Sequence, residues 1–120
     1  MNIILLNGKE IKINLKKYLT SRSNYCKSKF QEKIREELFD KYPLENIFEE
    51  VYIKGEGFFL DFLIPSLGLV FEVNGRQHIN HVKFFHKTKI EFHKQQEVDK
   101  KKKEFCELNN LKLIEIYDGK

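Results

Sequence analysis

The chain has 120 residues, enough for one domain with a real core that needs neither disulfides nor a structural metal. Charged residues make up 33% and hydrophobic ones 41%, which excludes a disordered chain. The net charge of +4 is compatible with nucleic acid without requiring it, and the two cysteines, Cys26 and Cys106, stand in no zinc-ligating or disulfide spacing.

In chain order, MNIILLNGKE carries too short an apolar run for a signal peptide, and no later stretch approaches a membrane span. A cytoplasmic, intracellular protein with no membrane partner is therefore expected. Asn7-Gly8 between β-rich runs predicts a two-residue hairpin over residues 1–15. Ser28 fits a helix N-cap with Gln31 as the other half of a capping box. Phe30, Ile34 and Leu38 then follow at helical spacing until Pro43.

Residues 47–53 read as a strand and Gly55-Glu56-Gly57 as a turn. FFLDFLI and LGLVFEV form a strand pair joined by residues 65–68. Residues 87–108 read as a helix, and LKLIEIY as a last strand over 111–117. A helix before that strand suits a βαβ crossover, so the order is hairpin, helix, three strands, helix, strand. The expected fold class is a mixed α/β sheet flanked by helices, in a single domain with the hairpin at 1–15 and the core at 28–117.

Two strands each carry a carboxylate inside an apolar run, Asp61 in one and Glu72 in the next. If the four-residue turn joins them symmetrically, these two residues face each other. Directly opposed residues have Cβ atoms about 4.5–5.5 Å apart, where like charges repel. A divalent cation between them turns that repulsion into ligation, and hard oxygen donors suit magnesium or manganese. Period two places Asn74 on the face of Glu72, with Phe71 and Val73 on the other. Gly75 permits a sharp exit, and Arg76, Gln77 and His78 follow where a ligand can approach.

The text LDFLIPSLGLVFEVNGRQH resembles the metal-dependent nuclease core called PD-(D/E)xK, most closely the very-short-patch-repair (Vsr) endonucleases and their relatives, the EDxHD homing endonucleases. The resemblance covers roughly residues 30–117 and implies a restriction-endonuclease-like core with an Mg2+- or Mn2+-dependent, DNA-cleaving activity. It implies Asp61 as the central metal ligand, Glu72 as the second, and the Val73 carbonyl as a third. His78 takes the place of the active-site histidine beside Gln77, and Glu50, preferred over Glu49, supplies a further acid. His86, after Phe84-Phe85, resembles an FFH stretch of the homing-endonuclease relatives. Asp99, on the long helix, is expected to position a histidine or a water. Two departures stand out: Asn74 replaces the lysine or aspartate of related enzymes, and Gln31 a glutamate of the first helix.

Arg76, Lys100, Lys102 and Lys103 are expected to contact phosphates, which carry no sequence information. The expected function is thus a metal-dependent endodeoxyribonuclease, phage-encoded if the resemblance extends to origin. Asn74 and Gln31 motivate an alternative, a nuclease fold that binds DNA without cutting it. The short chain also leaves room for a nuclease subunit whose specificity comes from a homodimer or a partner recognition subunit.

Overall fold

The computed structural model describes residues 1–24, 28–74 and 89–117, with the helical backbone alone for 89–96. The elements are β1 (Asn2–Ile4), β2 (Glu10–Lys12), α1 (Lys29–Lys41), β3 (Phe48–Ile53), β4 (Phe58–Ile64), β5 (Leu69–Asn74), α2 (Lys89–Leu108) and β6 (Lys112–Tyr117). Their order is the expected one. β1 and β2 pair antiparallel as a separate ribbon, and the other four strands form one mixed sheet in the order β3-β4-β5-β6.

β3, β4 and β5 are antiparallel neighbours, while β5 and β6 run parallel with α2 as the crossover between them. The turn joining β4 and β5 sets the register. Ile64 pairs with Leu69, Leu63 with Val70 and Phe62 with Phe71, so the four-residue connection is symmetric. Gly68, at φ 66°, supplies the left-handed residue that closes it.

Two cores sandwich the sheet. On one face Val51, Ile53, Leu60, Leu63 and Val70 pack with Ile3 and Leu5 of the hairpin and with Phe105 and Cys106 of α2. On the other face Phe62, Ile64 and Phe71 pack with Ile34 and Leu38 of α1. The apolar residues of α1 spaced at three and four make that second contact. Ser28 caps the helix by accepting from the Gln31 N–H, and the last helical residue, Lys41, precedes Pro43 by two. The Gln31 side chain sends its Nε2 to Glu49 at 2.7 Å.

The hairpin departs from its expected form. Ile4 pairs with Glu10, so the loop runs over residues 5–9 rather than two. Gly8 (φ 91°) donates to the Leu5 carbonyl, and the Asn7 side chain accepts from the Lys9 N–H. The Asx turn uses Asn7 locally, and Leu5 is thereby released to reach the core. The hairpin is then pinned twice. Asn109 exchanges two hydrogen bonds with the Ile4 backbone, as a neighbouring strand would. Glu56 accepts from the Leu6 N–H at 2.6 Å.

Candidate active site

Continuing the register from Phe62↔Phe71 places Asp61 opposite Glu72. On the other side, Asp61 falls opposite Glu50, between the pairs Glu49↔Phe62 and Val51↔Leu60. At this level both strands slip their alternation. Phe48 and Val51, three residues apart, share one core, and so do Leu60 and Leu63. Glu50 absorbs the slip on β3 at φ 52°, a left-handed conformation that costs a non-glycine residue on the order of 1–3 kcal/mol.

The slip frees backbone donors that the carboxylates use. The Asp61 N–H donates to Glu72 Oε2 at 3.1 Å, and the Val73 N–H donates to Asp61 Oδ2 at 2.8 Å. Each strand thus holds the other's carboxylate in place of a ladder bond. Val73, whose carbonyl is the expected third ligand, also serves the site through its N–H.

Glu72 is buried, and its second oxygen, Oε1, accepts from Lys102 Nζ at 2.7 Å. The side chains of this ion pair are only 13% and 11% exposed for Lys102 and Glu72. Lys102, one of the lysines expected to contact phosphate, turns inward to this carboxylate. Helical geometry explains it: Val98, Lys102, Phe105 and Cys106 lie at i, i+4, i+7 and i+8 on the stripe that faces the sheet. Lys100, Lys101 and Lys103 remain exposed. That spacing was readable in the sequence and is the signal that the lysine run concealed.

Burial pushes the Asp61 carboxyl above the ordinary range; the Val73 N–H and the Lys102 charge pull it down, while Glu50 and Glu49 push it up. Glu72 is raised by burial first and by the Asp61 charge second, with Lys102 opposing. Desolvation and like-charge repulsion are the two physical routes to such a shift, and carboxylates raised by both in one place are typical of working sites.

Glu49 is committed to a different network. Its Oε1 accepts from Thr20 Oγ1 at 2.7 Å and from Arg35 Nε at 3.1 Å, and its Oε2 accepts from Gln31 Nε2 at 2.7 Å. Arg35 is fully buried on α1, and its Nη1 also donates to the carbonyls of Ser21 and Asn24. Glu50, in contrast, is exposed. Gln31, read as a departure from the family's glutamate, therefore sits against a carboxylate supplied by the strand.

Asp99 is half-buried on α2, one turn before Lys102, and its charge helps raise the Tyr117 hydroxyl after the larger effect of the Glu115 hydrogen bond and burial. Tyr117 closes β6, where it pairs with Asn74. Arg76, Gln77, His78 and His86 lie outside the described residues.

Carboxylate oxygens are the donor type that hard divalent ions take, and three of the four here are engaged by the Asp61 and Val73 N–H groups and by Lys102. Asp61 and Glu72 offer carboxylate oxygens from adjacent strands, and Asp61 Oδ1 accepts no hydrogen bond among the described residues. Magnesium is commonly bound through one or two carboxylates while water fills its other positions. Among the described residues no group of three or more carboxylate, histidine or cysteine side chains is gathered to hold a metal. No helix among them is long and apolar enough to cross a membrane.

No family model matches the chain, and no solved structure matches it. Similar curated proteins are viral. The protein named "Uncharacterized protein 307L" of Invertebrate iridescent virus 6 is 42% identical over 57 residues, which is 48% of this chain and 29% of that protein. "Uncharacterized protein 033L" of Invertebrate iridescent virus 3 is 38% identical over 64 residues, 53% of this chain and 33% of that protein. The matched stretch thus spans no more than a third of the length of either relative.

Proposed function

We propose that the chain is a metal-dependent endodeoxyribonuclease with a restriction-endonuclease-like core, using Mg2+ or Mn2+ at Asp61 and Glu72 to hydrolyse phosphodiester bonds. The observation that carries the reading is the carboxylate pair itself. Two acidic residues stand opposed on adjacent strands, each held by the other strand's N–H and each raised by burial. Burying a carboxylate costs several kcal/mol unless it is paired, and here Lys102 pairs Glu72 while Asp61 is held by a backbone N–H.

A divalent ion bound there supplies charge stabilisation to the phosphoryl transition state and acidifies a water. The residues of the chain do the remainder. Asp61 and Glu72 are each oriented by a backbone N–H of the opposite strand. Glu50, exposed on the neighbouring strand opposite Asp61, is the nearest further acid in the register, outside any three-carboxylate cluster among the described residues. His78 follows β5 by four residues in the chain and carries the proton transfer that Asn74, which cannot titrate, cannot perform. Arg76, Lys100 and Lys103 hold the DNA backbone. The viral origin of the two relatives is in keeping with an enzyme of a mobile or viral genome.

A second reading has its own observation. Lys102 already neutralises Glu72 at 2.7 Å, as it would in a nuclease fold retained only to bind DNA. Incubation with supercoiled plasmid separates the two. The nuclease relaxes or linearises it with Mg2+ or Mn2+ and loses that activity as Asp61→Ala; the silent binder shifts the plasmid's mobility and never cuts it. Specificity from a homodimer or a recognition subunit would appear as cleavage that depends on protein concentration or on an added partner.

A further inference from the structure

We infer that Lys102 holds two posts in one working cycle: counter-ion to Glu72 in the metal-free protein, and a cation directed at the scissile phosphate once a divalent ion takes Glu72. The inference rests on the metal-site reading above.

The placement of Lys102 calls for an explanation. It stands in the apolar stripe of α2, between Val98 and the buried pair Phe105 and Cys106. A buried ion pair is a poor way to gain stability, because desolvating two charges offsets most of their attraction. Such a lysine is better understood by what its charge does.

The partners of Glu72 differ in mobility. Oε2 is held by the Asp61 N–H, a backbone group fixed within β4. Oε1 is held by Lys102 Nζ, the tip of a four-carbon arm with three rotatable donors. A second cation arriving at Glu72 therefore meets one fixed and one displaceable partner, and Lys102 is the one that yields. Its charge stays at the site after yielding. The Lys102 charge already acts on Asp61 as well as on Glu72, and in this same position Nζ lies 5.8 Å from the Phe58 ring centroid.

Nothing else described near the carboxylates supplies that charge. Asn74, on the face of Glu72, is neutral. Arg35 is anchored to Glu49 and to backbone carbonyls. A phosphate approaching the metal meets Lys102 as the cation within reach of the reacting oxygens.

The test uses the full chain as wild type, Lys102→Gln and Lys102→Arg, with Mn2+ titrated by calorimetry and supercoiled-plasmid cleavage measured at saturating Mn2+. Removing the resident cation should tighten Mn2+ binding in Lys102→Gln by about tenfold, while cleavage falls by about 10²-fold, the loss typical of one electrostatic stabiliser. Lys102→Arg keeps the charge and should shift Mn2+ affinity far less than Lys102→Gln while holding cleavage within about tenfold of wild type, which also guards against a glutamine variant that fails to fold. Opposite signs for affinity and rate are the signature, since a lysine that merely shapes the site would lower both together. Weaker or unchanged Mn2+ binding in Lys102→Gln overturns the exchange. Tighter binding with wild-type cleavage overturns the phosphate-facing post. A wild type that binds no Mn2+ overturns the metal-site reading beneath both.

Discussion

Replacing Asp61 by asparagine should make the metal-free protein more stable while removing its response to divalent ions. Asparagine keeps an oxygen to accept from the Val73 N–H, so the change isolates the charge. Two unit charges about 5 Å apart, the spacing of opposed strand residues, repel by about 3 kcal/mol at an effective dielectric of about 20. Lys102, 2.7 Å from Glu72, offsets part of that repulsion. A net gain of about 1–2 kcal/mol remains, a rise of a few °C in Tm for a chain of this size.

The pH dependence has a fixed sign. Both carboxyls have folded-state pKa values above the ordinary range, for the burial and repulsion described. Between the ordinary and the raised value the folded protein holds protons that the unfolded chain has released. Wild-type stability therefore falls as pH rises through that window. The advantage of Asp61→Asn opens across the same window, is complete above it, and closes below the ordinary value. Thermal denaturation in EDTA from pH 4 to pH 8 measures it. A wild type more stable than the variant at pH 8, or a difference independent of pH, would refute the reasoning.

Other expectations concern the flanks of the site. Glu49→Ala leaves the buried Arg35 guanidinium without its carboxylate and should destabilise by about 3–5 kcal/mol, measured by urea denaturation. Burial, with the Glu72 charge second, pushes the Cys106 thiol up to about 12, so iodoacetamide at pH 8 should label Cys106 only as fast as the protein opens. Mass spectrometry of the Cys106 peptide reads this, and rapid labelling under native conditions would contradict the packing of α2. His78→Ala should slow plasmid cleavage by about 10²–10⁴-fold with Mn2+ binding intact, whereas equal small losses at His78, His81, His86 and His93 would remove it from the mechanism.

The register of the candidate site was legible in the sequence for a specific reason. Pro65 and Gly68 bound a turn of fixed length, and alternation then dictates which residues of β4 and β5 meet. Asp61 and Glu72 stood out because each interrupts an apolar run. Lys102 and Arg35 did not stand out, because a charged residue on a charged helix looks like solvent-facing surface. Their burial follows only from the helical face on which they lie, and that face is decided by Phe105 and Cys106 for Lys102 and by Ile34 and Leu38 for Arg35. The left-handed backbone at Glu50 had no local sign, because glutamate takes that conformation only where neighbouring strands impose it. Asn7-Gly8 misled in the opposite direction: the dipeptide favours a tight turn, yet burying Leu5 against the core required a wider loop.

The most direct test of the central claim is cleavage of supercoiled plasmid by the purified chain, with Mn2+ or EDTA, alongside Asp61→Ala and Glu72→Gln. Nicked or linear DNA is expected only with wild type and Mn2+, and uncut plasmid in every other lane. Cleavage that persists in Asp61→Ala at the wild-type rate, or a wild type that leaves the plasmid supercoiled with Mn2+, would contradict it.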